Sequence, residues 1–215
     1  MNIRGFGLRL PRVYPITDKV LAGKSSHLAI VRELVRGGAR LVQVRDKQTP
    51  VRELLLDVER CAEFCDEKGV LLIVNDRCDL ALSVGAAGVH LGQEDLPPQD
   101  VRRLAGPAFI IGHSTHDHSQ IRRASKLPIQ YVGFGPVYPT STKSPPSPVV
   151  GVPGLARACR LSAHPVVAIG GIGARQIPDV LRAGAASAAV ISSVMCQGDI
   201  AKAMERLLRV ATETE

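Results

Sequence analysis

Val166-Val167-Ala168-Ile169-Gly170-Gly171-Ile172-Gly173 opens a stretch that continues through Ile177-Pro178-Asp179-Val180-Leu181-Arg182-Ala183-Gly184-Ala185-Ala186 and reaches Ala188-Ala189-Val190-Ile191-Ser192-Ser193. Val166–Ile169 is a short apolar run that reads as a strand, Ile177–Arg182 has helical spacing, and Ala188–Ile191 is a second strand. A helix between two fully apolar strands makes them parallel neighbours, buried on both faces. Gly184 accepts the left-handed conformation that ends a helix, and the alanines after it let the turn pack tightly. The same junction recurs at Arg36-Gly37-Gly38-Ala39 and Val84-Gly85-Ala86-Ala87.

Outward from this unit, the alternation fills the chain. Further strand-like runs are Val13–Thr17, Leu41–Val44, Val70–Val74, Gly88–Leu91, Phe109–Ile111 and Gln130–Phe134. Helical patterns cover His27–Arg36, Val51–Lys68, Val101–Leu104 and Ile200–Val210. Eight strand–helix units in one chain of 215 residues predict a single-domain (β/α)8 TIM barrel, residues 1–215, with residues 1–12 as an N-terminal extension. Residues 135–154 break the rhythm with six prolines and no apolar period, which predicts a long functional loop.

Hydrophobic residues make up 45% and charged residues 22%, a globular balance, and without Trp the core must be aliphatic. The net charge of +7 suits anionic small molecules. Nucleic acid is not expected, since no aromatic residues interleave the basic ones. No apolar run is long enough to cross a membrane or to form a signal peptide. Five scattered cysteines predict reduced thiols in a cytoplasmic enzyme, with Cys61 and Cys65 as helix packing. A homo-oligomer is compatible with the sequence.

The polar residues that need a reason stand just after the strands, where the active sites of barrels lie. Alternation turns Gln43, Arg45 and Lys47 towards the lumen, and two cations there call for an anion, or else for a salt bridge with Asp46 or a neighbouring acid. Asp76 and Asp95 end adjacent strands, an oxygen donor pair suited to Mg2+, with Glu94 as an alternative to Asp95. Gly170-Gly171 and Ile191-Ser192 have the position of a barrel's phosphate cradle. His116-Asp117-His118-Ser119 reads as a helix start with Asp and Ser as caps, not as a zinc site.

Taken together, Gln43–Lys47, Val74–Arg77, Gly88–Asp95, Gly112–His116, Gly133–Lys143 and Ala168–Ile172 resemble the thiamine phosphate synthase family. The resemblance implies coupling of a pyrimidine methyl diphosphate with a thiazole phosphate, giving thiamine phosphate and pyrophosphate by dissociative displacement. It implies that Gln43, Val44, Arg45, Asp46, Lys47, Asn75, Ser114 and Lys143 hold the pyrimidine diphosphate. Arg45, Lys47, Ser114 and Lys143 would act on the leaving group, and Asp76 and Asp95 would bind Mg2+. Thr140, Ser141, Thr142, Gly171, Ile191 and Ser192 would hold the thiazole phosphate. Asp46 stands where Glu is commoner, and the Pro-rich Ser144–Val150 lacks the acidic residue often found after the Lys. Rival readings are a thiazole tautomerase relying on His116, and a non-catalytic phosphate-ligand sensor. The first predicts loss of the diphosphate-binding cations and the carboxylates and the second a depleted metal site, whereas this chain keeps Arg45, Lys47, Asp76, Asp95 and Lys143.

Overall fold

The strands are short because each spans one wall of a small barrel. In the computed structural model, which describes residues 9–140 and 148–214, they are β1 (Val13–Pro15), β2 (Leu41–Val44), β3 (Leu71–Asn75) and β4 (Gly88–Leu91). Strands β5 (Ile110–Thr115), β6 (Tyr131–Phe134), β7 (Val166–Ala168) and β8 (Ser187–Val190) complete the set. All pair in parallel, in the order β1-β8-β7-β6-β5-β4-β3-β2. A single bridge, Ile16 to Gln43, closes the ring between β1 and β2, reinforced by Thr17 N–H donating to Gln43 O at 2.8 Å.

The helices of the first half are α1 (Lys19–Ala22), α2 (His27–Arg36), α3 (Val51–Glu67), α4 (Cys78–Ser83) and α5 (Pro98–Ala105). Those of the second half are α6 (His118–Ala124), α7 (Gly151–Leu161), α8 (Ile177–Arg182), α9 (Ser192–Met195) and α10 (Ile200–Thr212). The longer helices each bury one stripe: Ile30, Val31 and Leu34 on α2, Leu54, Val58, Cys61 and Cys65 on α3, Ile200, Met204 and Leu207 on α10. The repeats of three and four residues that predicted the helices are therefore their core faces. Cys61 and Cys65 are buried free thiols, as packing requires.

Pleating divides the strand residues into two cores. Val42, Val74, Val89, Ile111, Val132, Phe134 and Val190 face the helices. Tyr14, Leu41, Ile73, Ile110, Tyr131, Val167 and Ala189 fill the lumen. These lumen residues form the floor on which the strands' carboxyl ends stand.

Most element ends fall within three residues of the sequence expectation, and two differ by four. Strand β5 runs to Thr115 rather than Ile111, because Gly112 and Ser114 pair in register with Tyr131 and Gly133 of β6. Helix α7 begins at Gly151, inside the stretch expected as loop to residue 154. Its Pro153 falls in the first turn, where a missing N–H costs no intrahelical bond.

Candidate active site

The carboxyl ends of the strands surround a cavity of about 620 Å3. Gln43, Arg45, Lys47, Asn75, Asp76, Asp95, Ser114, Thr140, Gly171, Ile191 and Ser192 all line it. Eleven of the sixteen residues singled out in the sequence thus meet at one place. Ser141, Thr142 and Lys143 lie outside the described residues.

Two of the sixteen turn away. Val44 packs its buried side chain into the layer between strands and helices. Asp46 faces the opposite side from its neighbours, where its Oδ2 accepts from Lys19 Nζ at 3.1 Å, Thr49 Oγ1 at 2.7 Å and His27 Nε2 at 3.0 Å. Its Oδ1 accepts the N–H groups of Gln48 and Thr49, both at 2.9 Å. Burial opposes the charge, but the Thr49 and Gln48 N–H groups, the Thr49 hydroxyl and His27 outweigh it and hold the carboxyl well below its usual range. Asp46 therefore fastens the loop that carries Arg45 and Lys47, and its carboxylate is not on the cavity. His27 completes the fastening through Nδ1, at 2.8 Å from Thr17 Oγ1.

On the cavity's acidic side, Lys47 Nζ lies 3.2 Å from Asp76 Oδ2. Asp95 Oδ2 accepts the Gly92 N–H at 2.6 Å. Burial, with the Asp76 charge beside it, holds the Asp95 carboxyl above its usual range despite that hydrogen bond. Asp76 also has φ 61°, the one left-handed non-glycine backbone among the described residues. Such a conformation costs about 1–2 kcal/mol and persists where a site demands it. Two carboxylates pressed together, one of them reluctant to ionise, fit a hard cation that takes oxygen ligands. Next to them the Asn75 Nδ2 is buried without a hydrogen-bond partner, a donor waiting for an acceptor. The Arg45 guanidinium makes no ion pair among the described residues, as expected of a group reserved for an anion.

The opposite side is built from backbone. Gly170 (φ 101°) and Gly171 (φ 63°) turn beneath the start of the loop after β6. A Cβ on Gly171 would come within 2.8 Å of Tyr138 Cβ, so glycine is required by the close approach. Tyr138 N–H donates to Gly170 O at 3.1 Å, and Ser193 Oγ donates to Ile172 O at 3.0 Å, fixing the ends of β7 and β8 to each other.

The histidines after β5 do not converge on a metal. His116 Nδ1 lies 2.9 Å from Gly135 O, and His118 Nε2 lies 3.0 Å from Gly154 O. Asp117 caps α6 by accepting the Gln120 N–H at 2.8 Å. No group of three or more His, Cys, Asp or Glu side chains gathers at a metal-sized point among the described residues. Sequence reasoning passes over Tyr14, His90 and Tyr131, which line the cavity floor. For His90 the signal existed: alternation from Gly88 points it into the lumen between the outward Val89 and Leu91.

A sequence model of the thiamine monophosphate synthase family matches residues 13–194. The chain is 46% identical over 195 residues to the thiamine-phosphate synthase of Methanospirillum hungatei, covering 90% of this chain and 94% of that protein. It is 44% identical over 200 residues to the enzyme of Myxococcus xanthus, covering 93% and 92%. Among solved structures, the thiamine phosphate pyrophosphorylase of Pyrococcus furiosus superposes with a TM-score of 0.85 at 37% identity, over 94% of this chain and 96% of that one. The 3-hexulose-6-phosphate synthase of Salmonella typhimurium, at 12% identity and TM-score 0.71, shares the barrel alone. The chain belongs to the thiamine-phosphate synthase family, transferases of thiamine biosynthesis built on a TIM barrel.

Proposed function

We propose that the two sides of the cavity are two phosphate subsites serving one carbon–nitrogen bond formation. The pyrimidine methyl diphosphate takes the acidic side, where Asp76 and Asp95 hold Mg2+ and where Arg45, Lys47, Asn75 and Ser114 offer donors. Lys143, outside the described residues, joins them. The thiazole phosphate takes the backbone side, at Thr140, Gly171, Ile191 and Ser192, with Ser141 and Thr142 from the undescribed stretch. The observation that carries this reading is the pairing of Lys47 with Asp76 beside a second carboxylate, across the cavity from a glycine turn. Mg2+ when bound supplies positive charge that stabilises the departing pyrophosphate.

The residues of the chain do the rest. Arg45 and Lys47 bind diphosphate oxygens and neutralise charge as the methylene C–O bond breaks and its electron pair leaves with pyrophosphate. Asn75 and Ser114 orient the pyrimidine side. The thiazole nitrogen then attacks the pyrimidine-methyl cation, forming the C–N bond. No protein nucleophile takes part; the cavity positions the two partners and limits water. The retained cations and carboxylates fit the synthase and not the tautomerase or sensor readings. Five free cysteines fit a reducing compartment, the cytoplasm.

The test mixes the purified protein with the pyrimidine diphosphate, thiazole phosphate and Mg2+, and follows thiamine phosphate by its oxidised fluorescent product. Product that forms with Mg2+ and vanishes with EDTA is expected. Folded protein that forms no product, or forms it equally well in EDTA, would overturn the reading.

A further inference from the structure

A chain of hydrogen bonds crosses the lumen under the cavity and joins two of its walls. Gln43 Nε2 on β2 donates to the Tyr14 hydroxyl on β1 at 3.0 Å. The hydroxyls of Tyr14 and Tyr131 lie 2.8 Å apart. The Tyr131 hydroxyl on β6 lies 3.1 Å from His90 Nδ1 on β4, and His90 Nε2 lies 2.9 Å from Ser114 Oγ on β5. The rings of His90 and Tyr131 stack with centroids 5.5 Å apart.

The direction of each bond follows from the first. An amide nitrogen can only donate, so Tyr14 accepts there and has its own proton for Tyr131. Tyr131 then has its proton for His90 Nδ1, which makes Nδ1 the acceptor and Nε2 the protonated nitrogen. Nε2–H donates to Ser114 Oγ. The serine proton is left to point away from His90, into the cavity. Burial raises both tyrosine hydroxyls above their ordinary pKa, so neither gives up the proton it passes along.

Glycines make the crossing possible. A Cβ at Gly112 would overlap the Tyr131 ring, and one at Gly133 would come within 3.2 Å of His90 Cε1. Backbone space on two strands is thus given up to seat these two side chains, which a simple apolar floor would not need.

We infer that His90 is a positioning residue of the pyrimidine subsite, held by Tyr131 in the Nε2–H tautomer so that Ser114 presents its hydroxyl as a donor to an acceptor atom of the substrate. This rests on the assignment of Ser114 to that subsite. It gives roles to His90 and Tyr131, and it couples Ser114 to Gln43, a second lining residue on the far wall.

A double-mutant cycle tests it, with KM measured separately for each substrate and Tm measured for every variant. Ser114→Ala is expected to raise KM for the pyrimidine diphosphate about tenfold, the size of one hydrogen bond in a poorly hydrated site. His90→Phe keeps the ring and its stacking and is expected to give a similar rise, with KM for thiazole phosphate within about twofold of wild type. His90→Gln, whose amide nitrogen reaches the Nε2 position, is expected to recover part of the loss. In the Ser114→Ala background His90→Phe is expected to add less than about twofold. Should His90→Phe unfold the barrel, Tyr131→Phe carries the test with the same signature in smaller degree. Multiplicative losses in the double variant, or equal rises in KM for both substrates, would overturn the role of His90 while leaving Ser114 in the subsite. An unaltered KM in Ser114→Ala would remove Ser114 from the subsite and the inference with it.

Discussion

Asp76 carries both strain and charge: its backbone sits at φ 61° and its carboxylate lies beside Asp95 and 3.2 Å from Lys47 Nζ. Replacing it by glycine removes the strain and the like-charge contact together. Asp76→Gly is therefore expected to raise Tm by about 2–4 °C, corresponding to about 1 kcal/mol. The same change is expected to lower kcat/KM at millimolar Mg2+ by on the order of a hundredfold or more. Asp76→Ala keeps the strained backbone while removing the like charge, and should lose activity with a smaller gain in Tm than Asp76→Gly. Equal Tm values for the two variants would show that the conformation costs nothing. The placement of Asp76 and Asp95 was legible because carboxylates at the ends of adjacent strands need a cation to justify them. Asp46 was not, because its partners Lys19 and His27 come from two separate segments that no local pattern connects to it, and Thr49 alone lies nearby.

Packing between helices gives the next level its sharpest constraint. Helices α2 and α10 meet at Gly37, where an added Cβ would come within 2.5 Å of Ala201 O and 2.8 Å of Met204 Cβ. Gly37 has φ −77°, so the need is for space and not for an unusual backbone. Gly37→Ala must push α10 off α2 and is expected to cost about 1–3 kcal/mol, or a fall in Tm of roughly 3–10 °C. An unchanged Tm would show that α10 shifts freely. The strands and the helices α2, α3, α5, α8 and α10 were readable from period alone, since both faces of each strand are buried and each of these helices buries one stripe, whereas α1, α4, α7 and α9 were not. The ends were harder. Gly112, His113 and Ser114 look like a loop by composition, and only pairing with both neighbours makes them strand. That extension matters, because it places Ser114 on the wall of the lumen and in reach of His90.

Across the whole molecule, three histidines resist protonation. Burial lowers the pKa of His27, against the pull of Asp46 and Asp57, and it lowers those of His113 and His164. Each is neutral in the native state at pH values where an unfolded histidine, with a pKa of about 6.5, takes up a proton. Native stability is therefore full above about pH 6.5 and falls as the pH drops through that value, by on the order of 1 kcal/mol per pH unit for each histidine. Urea midpoints at pH 7.5, 6.5 and 5.5 should decline in that order, and a flat series would contradict the assignment. The barrel was legible as a whole because eight units repeat one pattern, and so was the meeting of their polar ends. The lumen network was not, since Tyr14 and Tyr131 read as ordinary strand residues until the ring closes and brings them together.

The proposed function requires one cavity with two phosphate subsites, of which only one uses the metal. Calorimetric titration of each substrate alone, with Mg2+ and with EDTA, tests it most directly. The pyrimidine diphosphate is expected to bind at least about tenfold more tightly with Mg2+, Asp76→Ala to abolish this difference, and thiazole phosphate to bind equally in both conditions. Metal-independent binding of the diphosphate, or a matching Mg2+ requirement for thiazole phosphate, would contradict it.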